Sequence, residues 1–137
     1  MPADLCFLSV EQVLRIHDEL LRRYGGSAIP GHRDEQEGAS AAVLAVENSY
    51  YEEVFELAAA YAVYIVMGHV FGDGNKRTGS SAALTFLQLN HVTLRVAPQK
   101  LRDAMLELQE RAETEPRPPP NDLVAWLAKR LRTWRMK

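Results

Sequence analysis

Eleven consecutive residues from Leu57 to Met67, LAAAYAVYIVM, carry no charge and only two tyrosine hydroxyls as polar groups. The run is too short to cross a bilayer and is flanked by Glu56 and His69. Its alanines favour a helix, and a helix apolar on most of its faces belongs in the middle of a domain. The rest of the chain must therefore wrap around it. A chain of 137 residues with 47% hydrophobic content is long enough to do so as one domain. We read a single domain over 1–137, with a central segment at 53–90.

The remaining elements read as helices. SVEQ at Ser9 to Gln12 is a capping box, in which a hydroxyl and an amide satisfy two free N–H groups. Val10, Val13, Leu14, Leu20, Leu21 and Tyr24 follow at helical spacing, and Gly25 and Gly26 stop that helix. GGSAIPGHRDEQEG reads as a loop. Further helices are expected over Ala39–Asn48, Glu53–Gly68, Lys76–Asn90 and Pro98–Ala112. HVTLRV reads as a short strand or an extended connector, and residues 116–120 as a stiff proline linker. Asn121 or Asp122 caps a last helix carrying Leu123, Val124, Leu127 and Leu131 on one stripe. Six helices with almost no strand signal give an all-α class and a compact helical bundle.

Directly after the apolar run stands GHVFGDGNKRTGSS, Gly68 to Ser81. Gly68 ends the helix and leaves His69 at the mouth of the core, where an imidazole can serve as a base near neutral pH. Phe71 can pin the loop to the core. Gly72 and Gly74 flank Asp73 and let the backbone approach a ligand closely. Asn75, Lys76 and Arg77 open the next helix. Cations there oppose the helix dipole, a conflict that a bound anion relieves. Asp73 is a hard oxygen donor that can hold Mg²⁺ against the same phosphates. A base, a metal ligand, a glycine-rich cradle and two cations suit phosphoryl or nucleotidyl transfer. The pattern is not a Walker A loop, because no window matches G-x-x-x-x-G-K-[ST].

The motif resembles that of the Fic/Doc superfamily. The Fic form is H-P-F-x-[DE]-G-N-G-R-x-x-R, and the death-on-curing (Doc) form is close to H-x-F-x-D-A-N-K-R-T. His69, Phe71, Asp73, Asn75, Lys76, Arg77 and Thr78 stand in the Doc positions. IHDELLRRYGG, YEEVFELAAAYAVYIVMGH and ALTFLQLNHV are also similar to Doc-like segments, extending the resemblance from about Phe7 to Val96. It implies a Fic/Doc helical bundle of about six helices and use of ATP with Mg²⁺. His69 would be the base, Asp73 the metal ligand, and Phe71, Gly72, Gly74, Asn75, Lys76 and Arg77 the nucleotide contacts. It further implies transfer of the γ-phosphate to a threonine of a translation factor resembling EF-Tu, and neutralisation by a Phd-like antitoxin. Fic enzymes instead transfer AMP to a protein hydroxyl. Lys76 and Ser80, where Fic has glycine and arginine, favour the Doc chemistry, whereas Gly74 matches Fic. A non-catalytic regulator binding a partner or DNA is the alternative from another class.

Net charge −2 gives no footprint for nucleic acid, so no direct nucleic-acid contact is expected. A single cysteine, Cys6, excludes an internal disulfide and is expected as a small buried hydrophobe. The N-terminus lacks a signal-peptide pattern, so the chain reads as cytoplasmic. His17 falls on the apolar stripe of the first helix and is expected to be structural and hydrogen-bonded. His32, Arg33 and Asp34 belong to a plain polar loop or to a flap that aligns a target. His91 and the basic KRLRTWRMK tail read as solvated surface. No [ST]-x-x-x-E-[GN] inhibitory pattern is present, so inhibition is expected from a separate chain.

Overall fold

The computed structural model describes residues 4–25, 35–71 and 74–136. Among them are six helices: α1 (Val10–Tyr24), α2 (Glu35–Glu47), α3 (Val54–Met67), α4 (Asn75–Leu89), α5 (Pro98–Ala112) and α6 (Pro120–Thr133). The all-α expectation holds. HVTLRV is an extended connector whose one bridge, Leu94 to Arg135, ties it antiparallel to the end of the chain.

α3 is the axis. Ten of its residues, from Phe55 to Val66, are buried, and α4 and α6 lie along it. Glu53 caps it by accepting from the N–H groups of Phe55 (2.9 Å) and Glu56 (3.2 Å). α4 comes close because Gly79 faces it. A methyl group there would stand 3.3 Å from both the Ala62 carbonyl oxygen and Val66 Cγ2. The two helices thus meet nearly backbone to backbone. Asn90, at the far end of α4, clasps the chain before α1. Its amide accepts from Cys6 N–H (2.7 Å) and donates to the Cys6 carbonyl (2.9 Å).

The capping box of α1 is present, with Ser9 and Gln12 bonded in both directions. Gly25 ends α1 at φ 82, donating to the Leu21 carbonyl. Three expectations need correction. α2 starts at Glu35 rather than Ala39, with Glu35 and Glu37 in its first turn where they complement the dipole. α6 starts at Pro120, with Pro119 as its cap, so neither Asn121 nor Asp122 caps it. Proline has no N–H to lose and a preset φ, so it fits a first turn. Asn121 instead accepts from the Tyr51 hydroxyl at 2.6 Å. Cys6 is exposed, because its segment runs along the surface.

Candidate active site

α3 ends at Gly68, whose N–H donates to the Tyr64 carbonyl. The left-handed residue is not this glycine (φ −78) but His69, at φ 46. For a residue with a Cβ that conformation costs about 1–2 kcal/mol. It is held in place by its neighbours, since Val70 and Phe71 are both buried at 1% exposure while His69 is exposed. The chain thus leaves the core for two residues, Gly68 and His69, and presents an imidazole.

Phe71 turns its ring inward, where His17 of α1 lies parallel to it at 3.7 Å between centroids and 7° between planes. His17 is 2% exposed. The main chain of Phe71 is gripped from the other side. Its N–H donates to Asn75 Oδ1 (3.0 Å) and its carbonyl accepts from Asn75 Nδ2 (2.7 Å). Phe71, expected both to anchor the loop and to touch a cofactor, therefore has its ring buried and its peptide groups occupied. Gly72 and Asp73 lie outside the described residues, as do His32, Arg33 and Asp34. Gly74 follows at φ 80, and a Cβ on it would meet the His17 ring at 3.7 and 3.8 Å. An alanine would fit that space, but only in a left-handed conformation that alanine disfavours.

Asn75 opens α4, which has no side-chain cap and no acid in its first turn. Lys76 Nζ donates to Gln109 Oε1 of α5 at 2.6 Å. The Arg77 guanidinium stacks over the ring of Tyr24 at 4.7 Å. Gly74, Asn75, Lys76, Arg77 and Ser80 all line one groove of about 630 Å³, walled by the end of α1 and the first turns of α5. His69 does not line it. Gly68 and Val70, on either side of His69, line a second, mostly apolar groove of about 540 Å³, between α2 and the proline segment. Arg117 closes that segment against α3 by donating to the Met67 carbonyl (2.9 Å). Val70 thus lines an apolar groove and Gly74 a cationic one.

Sequence reasoning missed the supporting roles of Tyr24 and Gln109, which no local pattern marks. It placed His17 correctly as buried, but not as the platform beneath the loop.

Such a site defines a class: a helical domain whose buried central helix is followed by an exposed histidine and then by an uncapped, cation-bearing helix start. The model of the Fic/DOC family matches residues 7–87. The chain is also 36% identical over 95 residues to the protein of Escherichia phage P1 named "Protein kinase doc", covering 67% of this chain and 74% of that protein. The chain belongs to the Fic/DOC family and is of the Doc type. Among the described residues, no helix is long and apolar enough to cross a membrane.

Proposed function

We propose that this chain is the toxin of a toxin–antitoxin pair, a protein kinase that transfers the γ-phosphate of ATP to a serine or threonine hydroxyl of a translation factor resembling EF-Tu. The observation that carries this reading is the cationic groove at the start of α4, lined by Lys76 and Arg77, with the exposed His69 a few residues earlier in the chain. The kinase named among its relatives supports it. Translation would stop in the cytoplasm until a Phd-like antitoxin covered the site.

The two grooves divide the work. The triphosphate lies in the groove of Lys76 and Arg77, its oxygens on the free N–H groups of the α4 start. Lys76 and Arg77 leave Gln109 and Tyr24 to meet it, exchanging neutral partners for charged ones. The acceptor hydroxyl comes from the apolar side and meets His69. His69 takes the hydroxyl proton as the oxygen bonds to the γ-phosphorus and the bond to the β,γ-bridging oxygen breaks. ADP leaves with that oxygen. Asn75 and His17 hold the loop so that base and phosphates keep their spacing.

One Mg²⁺ bound with the nucleotide belongs to this reading. No group of three or more His, Cys, Asp or Glu side chains that could hold a metal occurs among the described residues, so they contain no all-protein cage. Mg²⁺ bound to a nucleotide needs only one or two carboxylates, and Asp73 would supply one. The ion would neutralise charge on the β- and γ-phosphates.

The test is label transfer to purified EF-Tu. Label from γ-labelled ATP is expected on the target and label from α-labelled ATP is not. The reverse result would establish AMP transfer, the reading that Gly74 favours. Growth arrest that survives His69→Ala would instead point to a non-catalytic regulator.

A further inference from the structure

The groove at the start of α4 has a second wall that the motif does not describe. Pro98, Gln99, Arg102 and Asp103 of α5 line it opposite Lys76, Arg77 and Ser80. Arg102 is exposed, and its Nη2 donates to the neutral Gln99 Oε1 at 2.7 Å. None of the ion pairs among the described residues involves it. Gln99 is oriented in turn, since its Nε2 donates to Asp103 Oδ1 at 2.9 Å. The amide therefore turns its oxygen to Arg102 and its nitrogen to the one carboxylate in the groove. The result is three cations from two helices facing one space, against a single acid. α5 also begins with no side-chain cap and no acid in its first turn. The cavity of about 630 Å³ is wide enough for a nucleotide-sized ligand.

A guanidinium bonded only to a neutral amide can exchange it for phosphate oxygens, which bind it more strongly and in bidentate fashion. Lys76 is a point charge and Arg77 lies over Tyr24 at the α1 side. Arg102 is the planar fork on the α5 side, where the small Ser80 leaves the groove open. We propose that Arg102 is a phosphate-binding residue, gripping the polyphosphate of a nucleoside triphosphate from α5 while Lys76 and Arg77 grip it from α4, with Gln99 positioning it. This rests on the nucleotide reading above and adds to it a ligand from outside the motif.

The experiment is calorimetric titration of the full chain with Mg-ATP, AMP and inorganic tripolyphosphate. Arg102→Ala is expected to weaken ATP and tripolyphosphate by about tenfold or more, the scale of a charged hydrogen-bond pair, and AMP by less than about twofold. Arg102→Lys restores part of the loss, since it returns charge without the fork. Lys100→Ala, on the same helix but outside the groove, changes none of the three. Wild-type affinity for ATP in Arg102→Ala, with its melting temperature unchanged, would overturn the proposal. So would an equal loss in Lys100→Ala, which would mean a diffuse field rather than a contact. If the wild-type chain binds neither ATP nor tripolyphosphate, the nucleotide reading falls and takes this one with it. If it binds both but labels its target only from α-labelled ATP, only the kinase reading falls.

Discussion

Replacing Asn75 by alanine removes both hydrogen bonds that close the loop onto Phe71. Each contributes about 0.5–1.5 kcal/mol net, and a peptide group left without a partner adds to the loss. Asn75 is only half-buried, so water recovers part of this. The sum is a loss of about 2–3 kcal/mol, or roughly 8 °C in melting temperature for a domain of this size. Asn75→Asp separates the two bonds. Its carboxylate still accepts from Phe71 N–H but cannot donate to the Phe71 carbonyl, at 2.7 Å in the native loop. A negative charge in the first turn of α4 returns about 0.3–1 kcal/mol through the helix dipole. The aspartate protein should therefore lie between wild type and the alanine protein in stability. In affinity for ATP the two variants should fall in the opposite order, aspartate below alanine, because the new carboxylate repels phosphate from the groove that residue 75 lines. Urea unfolding and calorimetric ATP titration of the three proteins give both rankings. An alanine variant within about 0.5 kcal/mol of wild type would refute the clasp, the ordinary range for a surface substitution away from such a feature. An aspartate variant that binds ATP more tightly than the alanine one would refute the placement of the anion.

Further outcomes follow from other contacts. His17→Ala should lose about 3 kcal/mol in urea unfolding through the cavity left under Phe71, whereas His17→Phe, which keeps a ring in the stack, should lose less than half as much. Gly79→Ala gains about 1 kcal/mol of helix propensity but meets α3 at 3.3 Å, so thermal unfolding should show a net loss. Burial pushes the Tyr61 hydroxyl up to about 12, while its contact with the Leu8 N–H pulls the other way. Its neutral form is favoured in the fold, so its contribution is intact below the unfolded value near 10 and is lost as pH rises from about 10 to about 12. Stability of the wild type should fall by up to about 2–3 kcal/mol over that window, and Tyr61→Phe should flatten the fall while lowering stability at neutral pH. His69→Ala should lower the transfer rate by at least ~10²-fold.

Much of the scaffold could be read from local pattern because its determinants are local. The apolar run named α3, and the capping box fixed the start of α1. α2 was misplaced by four residues because Gly38 and three acids look like loop, although the glycine is buried inside the helix and two acids occupy its first turn. The start of α6 was hidden for a similar reason, since a proline that ends one pattern can begin the next. In the site, motif spacing brought out His69 and the start of α4, since both follow from a helix end and a helix start. Spacing could not say where Lys76 and Arg77 point. Their partners, Gln109 and Tyr24, come from helices on either side in sequence and meet α4 only in the folded chain. The stack of His17 on Phe71 joins residues on α1 and the loop, and the stripe that carries His17 predicts its burial but not its neighbour.

The near-contact of α3 and α4 backbones at Gly79 has a mechanical consequence. His69 follows the end of one helix, and the residues proposed to hold phosphate begin the other. At Gly79 no side chain separates the two helices, so they are held close near their connected ends, where the proposed base and the proposed phosphate groups stand. On the proposed reading, the spacing of base and phosphate would be set largely by the fold before any ligand arrives. The motion that the proposed reaction needs would then fall to the side chains of Lys76, Arg77 and Arg102, which would swing from neutral partners to the nucleotide.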